Sequence, residues 1–363
     1  MKTPAIATMR RTVLTGPYTW NRDLIPLDEC ARRMQHVRSR MQASGLDLLL
    51  VYGDALHSGM LTWLSNFNPK LHWGLGVLAF DAPETLVVPG GTRDLPAARA
   101  MSYDWQVEPF AGLQALLTRM LPAGTDDHGH RRVGLLESDQ WCEPALRATK
   151  QALQALGAEA IEISDAELAI ETRPREKALI DASRHIVEGC RKVFEARWRD
   201  TRQAAEAVRD AELWARTNGA HDVRILCSDE DGLVLAPLQT WSDATTRRVV
   251  AYLACQHLGY WADAFITLEE TPSPLYAATA ALLRSRQEHL RRNASVSGPH
   301  SPEAETYSPY RLHPMVQRTP GSMHGLELRA IDTASAHPAS PALMNLYAGL
   351  TDGTQGVILS GLP

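Results

Sequence analysis

Residues 248–268 read RVVAYLACQHLGYWADAFITL. β-Branched and aromatic residues dominate the run, which marks it as strand. His257-Leu258-Gly259 offers the place to turn back. Tyr252 and Asp263 lie eleven positions apart. That is an odd number, and side chains alternate faces along one strand. A continuous strand would send the two to opposite sides, whereas a hairpin lets them converge from neighbouring strands. An Asp in such a place needs a hydrogen bond or a charge partner. The Tyr252 hydroxyl can supply the first.

Outward from this hairpin the patterns alternate. VRILCS (223–228) is another strand-like run, and residues 273–292 read as a helix. ALMNLYAGLTDGTQGVILSGLP (342–363) reads as two strands around a DG turn. Residues 293–309 are loop-like. Upstream, ETRPREKALIDASRHIVEGCRKVFEARW (171–198) carries Leu179, Ala182, Ile186, Cys190, Val193 and Ala196 as a one-face helical stripe. A second helix, RQAAEAVRDAELWARTNG, stops at Gly219.

The first half of the chain is organised differently. Leu27, Ala31, Met34, Val37 and Met41 recur at helical spacing, with Arg32, Arg33, Arg38 and Arg40 between them, up to a stop at Gly45. LDLLLVYG (46–53), GLGVLAF (74–80), ETLVVPG (84–90), VGLLES (133–138) and AIEIS (160–164) read as strands. Helical patterns over 94–101, 110–120 and 143–156 fall between them. The alternation predicts an α/β sheet to about residue 165. GTDDHGHRR (124–132) is a polar loop, and the first 20 residues form an arm without a clear period.

Composition bounds the function classes. The chain has 363 residues, room for two ordinary domains. Its formal charge of −5 argues against nucleic-acid and membrane-surface partners, which favour basic faces. No run of apolar residues is long enough to span a bilayer. The N-terminus has no continuous apolar stretch of the secretory kind. Cys30, Cys142, Cys190, Cys227 and Cys255 are dispersed, which fits reduced thiols in a cytoplasmic protein.

These segments together resemble the creatinase, prolidase and aminopeptidase P family over nearly the whole chain. The pieces that carry the likeness are 26–53 with LTWLSNFNP (61–69), the helix opening ETRPREKALIDASRHI with Arg173 and Lys177, GYWADAFITL (259–268), GLELRA (325–330) and GVILSG (356–361). The resemblance implies an α+β fold: a creatinase-like N-terminal α/β domain over 1–165 and a pita-bread C-terminal domain over 166–363. It also implies a homodimer.

The same resemblance locates the family's two-metal site, held by two Asp, one His and two Glu. Asp263 matches the second Asp, and Tyr252 stands where the first would be. A tyrosine, whose ordinary pKa is about 10, is a poor ligand at neutral pH. An ungapped match of GSMHGLELRA puts Ser322 at the ligand His, Arg329 at a second, catalytic His and Ala330 at a ligand Glu. Ser360 falls at the final Glu, and Pro237 or Leu238 at an upstream catalytic His. One ligand of five survives, so neither a bound metal nor another cofactor is expected.

Three functions stay open. One is metal-independent hydrolysis of a C–N bond in a small amino- or imino-acid-like substrate, with Asp263, His324 and Glu327 as the catalytic candidates. Another is a pseudoenzyme that binds a small molecule, short peptide or protein in the old cleft. The third is a peptidase with a metal site rebuilt from His257, Asp263, His313 or His324. In the cleft, Tyr252 and Arg329 are the expected substrate-binding residues, with Arg329 replacing the lost metal charge and favouring a carboxylate. Blander roles stand beside these: Asp263 bonding a turn, His324 and Glu327 as a solvated pair, Cys255 in the core. Trp63, Phe67, His72 and Trp73 either line a cleft or pack.

Overall fold

The computed structural model describes residues 19–70, 72–90, 95–121, 131–168, 174–228, 235–238, 244–292, 306–307, 310–315, 344–350 and 356–361. The chain divides into two compact units, Met1–Ile170 and Glu171–Pro363. Among the described residues no helix is long and apolar enough to cross a membrane.

In the first unit the order is α1 (Leu27–Ala43), β1 (Leu48–Gly53), α2 (Gly59–Ser65), β2 (Gly74–Ala79), β3 (Thr85–Val88), α3 (Leu95–Met101), β4 (Gln106–Pro109), α4 (Leu113–Met120), β5 (Arg131–Leu136), α5 (Glu143–Ala155), β6 (Ala158–Ile163) and α6 (Asp165–Leu168). The strands form one mixed sheet ordered β4-β3-β2-β1-β5-β6. β1 and β2 are buried along their whole length, which is why they read as unbroken apolar runs and not as alternating ones. Leu48, Leu50 and Tyr52 pack with α4 and α5 through Leu116, Leu117 and Leu153.

In this unit one open reading is decided, in favour of packing, and one expectation changes. Trp63 and Phe67 are core residues, 2% and 1% exposed, and Trp73 packs edge-on against Phe110. Arg33, read as one of the polar positions of α1, is fully buried. It lies over the Trp63 ring at 5.0 Å, donates to the Trp63 carbonyl at 2.7 Å and pairs with buried Glu29 at 3.3 Å. Leu27 and Ala31 are exposed instead.

The second unit opens with two helices, α7 (Pro174–Thr201) and α8 (Ala204–Thr217). The strands β7 (Asp222–Ser228), β8 (Arg248–His257) and β9 (Tyr260–Glu269) form an antiparallel sheet. After α9 (Pro274–Arg292) come β10 (Thr306–Tyr307), β11 (Tyr310–Met315), β12 (Met344–Leu350) and β13 (Gly356–Gly361), also antiparallel throughout. One face of β7–β9 buries Val249, Ala251, Leu253 and Ile266 against α7 and α8. The inner stripe of α7 keeps Leu179, Ile186 and Cys190 but continues through Phe194 and Trp198, both 0% exposed, in place of Val193 and Ala196. The aromatic pair removes more apolar area from water and takes the inner face.

Both predicted helix stops close in the same way. Gly219, at φ +97°, donates to the Arg216 carbonyl while Ala220 donates to that of Ala215; Gly45 and Leu46 repeat the pattern on Gln42 and Met41. The β8–β9 turn has two residues, Leu258 at φ +48° and Gly259 at φ +88°. Two positive φ values make it a type I′ turn, the form that matches strand twist and favours Asn-Gly. A leucine pays for that conformation through its Cβ. Leu258→Asn is therefore expected to raise stability by up to about 1 kcal/mol. The check is the urea midpoint of the two proteins; a lower midpoint for the variant would show that Leu258 contributes packing that exceeds its strain.

Candidate functional site

The face of β7–β9 turned away from α7 and α8 is set by register. Three cross-strand rows follow one another: Leu226–Tyr252–Phe265, Arg224–Ala254–Asp263 and Asp222–Gln256–Trp261. Paired residues of an antiparallel sheet share a face. The two-residue turn thus puts Tyr252 and Asp263 diagonally across from each other on one side. Tyr252 Oη donates to Asp263 Oδ2 at 2.8 Å. The Tyr252 ring is 6% exposed and tilts against Phe265, with centroids 4.7 Å apart. Val250, Ala254 and Trp261 complete this apolar patch. Asp263 itself is half-buried.

Charged groups surround the patch. Arg248 and Glu269 pair at 3.0 Å at the end of the hairpin away from its turn, with side chains 8% and 7% exposed. Arg224 sits over the Trp261 ring at 5.1 Å and only 3.9 Å from Asp222. Sequence reading had singled out none of these four charged residues. The alternation within VRILCS puts Arg224 on one side of its strand, but which residues it meets depends on a β7–β8 register that no local motif specifies.

Of the other residues singled out in the sequence, His324, Glu327 and Arg329 lie outside the described residues, as do Ser322 and Ala330. Ser360 is in β13 opposite Asn345, and His313 is in β11 opposite Tyr347. Cys255 is fully buried on the helix-facing side. A hydrogen bond with the Cys190 thiol, then burial, holds its thiol far above the usual range. Its place among the buried residues between the sheet and α7 is the core-packing role. His257 is engaged at the hairpin end: Nδ1 lies 2.8 Å from the Gly219 carbonyl, and its ring stacks on His221 at 5.5 Å.

No family model and no curated protein matches the sequence. Solved structures do. The prolidase from Pyrococcus horikoshii OT3 aligns with a TM-score of 0.63 at 12% identity, over 91% of this chain and 94% of its own. This chain has the prolidase fold. Dipeptidase PepE from Mycobacterium ulcerans has the same prolidase fold (TM-score 0.61, 15% identity, 94% of this chain and 93% of that one). So does the aminopeptidase PepP from Pseudomonas aeruginosa (TM-score 0.59, 12% identity, 93% and 92%). The prolidase fold is the pita-bread architecture that the sequence resemblance implies, and the α+β class follows with it.

Proposed function

We propose that this chain is a prolidase-fold protein without a two-metal peptidase centre, and that it binds a small amino- or imino-acid-like molecule at the face carrying Tyr252 and Asp263. The observation that carries the reading is the 2.8 Å hydrogen bond between them. Hard divalent ions are held by carboxylate oxygens and imidazole nitrogens. Here a phenol stands in the place of the first carboxylate and directs its proton at the second. Of the three matched ligand positions among the described residues, Tyr252, Asp263 and Ser360, only Asp263 is a carboxylate, and one carboxylate is too small a donor set for two ions.

What remains suits recognition. The half-buried Asp263 can accept from an amine or imine at the edge of the apolar patch in which Ala254 and Trp261 are buried.

The test is elemental analysis of the dialysed protein followed by a screen of amides and amidines. The expected result is far less than two divalent ions per chain and no amine release. Retention of about two manganese, cobalt or zinc ions, the complement of a two-metal centre, would overturn the reading. Release of amine from metal-free protein would move it to metal-independent C–N hydrolysis.

A further inference from the structure

We propose that His221 and His257 form an acid-sensitive latch that holds the β8–β9 turn to the C-terminal end of α8. The inference stands apart from the ligand reading and uses two histidines to which that reading gives no task.

The latch is built on backbone groups at two chain reversals. Gly219 closes α8 at φ +97°, and its carbonyl lies 2.8 Å from His257 Nδ1. A carbonyl only accepts, so His257 Nδ1 carries a hydrogen. The Leu258 amide, in the turn at φ +48°, donates to His221 Nδ1 at 3.0 Å. An amide N–H only donates, so His221 Nδ1 carries none, and that ring is neutral with its hydrogen on Nε2. The two imidazoles stack, with centroids 5.5 Å apart and planes 22° from parallel. The His221 amide donates to the Gln256 carbonyl at 2.7 Å, which fixes the His221 backbone against β8. Each histidine thus bonds to the segment that carries the other. His257, at the end of β8, holds the close of α8; His221, just before β7, holds the turn.

Acid acts on one bond of the two. A hydrogen on His221 Nδ1 would set N–H against N–H, so the bond from Leu258 must break. His257 can take a second hydrogen on Nε2 and keep its own bond. With both rings charged, two cations would stand 5.5 Å apart. The unfolded chain has no such bond to lose, so it takes up the proton more readily than the folded one. The stability that the latch contributes is therefore fully present above the ordinary histidine range, about pH 6.5, and is lost as the pH falls below it.

The neighbouring charges are engaged with one another. α8 brings Arg216, paired with Glu212 at 2.9 Å. β7 brings Asp222, 3.9 Å from Arg224. β9 begins with Tyr260, whose hydroxyl donates to the Glu176 carboxylate of α7 at 3.2 Å. Each of these carboxylates already faces a cation or a hydroxyl. Release of the latch would free the turn at the edge of the sheet where Asp222 of β7 starts its pairing with Gln256.

The experiment is a titration of the full chain followed in imidazole ¹H–¹⁵N correlation spectra, with urea midpoints measured over the same range. His221 is expected in the Nε2–H tautomer, with a midpoint at least about one pH unit, or tenfold in proton affinity, below the ordinary value of about 6.5. His257 is expected to keep its hydrogen on Nδ1 throughout. In His221→Asn, Oδ1 stands near the place of Nδ1 and can accept from Leu258 without titrating. This variant should identify the His221 signal by its loss, and its urea midpoint should fall less with acid than that of the parent. A His221 midpoint at or above the ordinary value, or an Nδ1–H tautomer, overturns the proposal. So does a variant whose urea midpoint falls with acid as steeply as the parent's. If the variant does not fold, the His221 signal is assigned through its contact with the Leu258 amide, and the parent's tautomer and midpoint decide.

Discussion

Arg248→Met is expected to lower the stability of the second unit by about 3–5 kcal/mol, the usual result of removing one partner from a buried ion pair. Arg248 and Glu269 face each other across the β8–β9 ladder at 3.0 Å, each less than a tenth exposed. Methionine keeps the length and apolar stem of the side chain. What it removes is the charge, leaving the Glu269 carboxylate, its side chain 7% exposed, without its cation. The pair also anchors a helix. Glu269 accepts from the Ser273 amide at 2.6 Å and its hydroxyl at 3.1 Å, and Ser273 Oγ in turn accepts from the Tyr276 amide in the first turn of α9. Replacing both partners, as Arg248→Met with Glu269→Leu, should recover most of the loss. A residue of about 1–2 kcal/mol should remain for the two hydrogen bonds withdrawn from Ser273. Urea unfolding followed by circular dichroism gives both numbers. A single variant as stable as the parent would mean that the pair is hydrated and carries no such weight.

Gly189→Ala is expected to destabilise by about 1–2 kcal/mol, even though alanine is the better helix former by about 1 kcal/mol. Gly189 sits in α7 where α8 lays the Trp214 indole against it. A Cβ added there would fall inside the six-membered ring, at Cη2, Cζ2 and Cζ3. The helices must part or the ring must swing out, and Trp214 is only half-buried, which limits the cost. The cause is checked by a double-mutant cycle. With Trp214→Ala in place, the second substitution should become neutral or favourable, because only helix propensity is left. Additive effects in the two backgrounds would remove the steric explanation.

Much of the fold is legible in sequence because its signals are local. Gly45 and Gly219 end helices where a left-handed residue is required, and the glycine is read without knowing what the helix touches. The strands of the first unit announce themselves as short apolar runs between helical stripes. The hairpin at 257–260 is legible for the same reason. The odd spacing of Tyr252 and Asp263 makes convergence impossible without a turn, and a glycine marks where it falls. The resemblance to the prolidase type adds the order of these pieces along the whole chain.

Other features have no local signal. Arg33 reads as a surface residue of α1 until Trp63 and Glu29 close over it. Phe194 and Trp198 displace Val193 and Ala196 because burial of aromatic area outweighs a strict count along the helix. Arg248 and Glu269 are twenty-one positions apart, and only the register of β8 on β9 makes them partners. Arg224 is placed beside Ala254 and Asp263 by the register of β7 on β8. The sequence alone therefore determined the helix ends, the strands and the Tyr252–Asp263 pair, since each rests on the conformational preferences of a few neighbouring residues. The tertiary structure decided which charges are buried, which are paired and which face the patch. Those depend on contacts between segments far apart in the chain, where a shift of one residue in register exchanges the two faces of a strand.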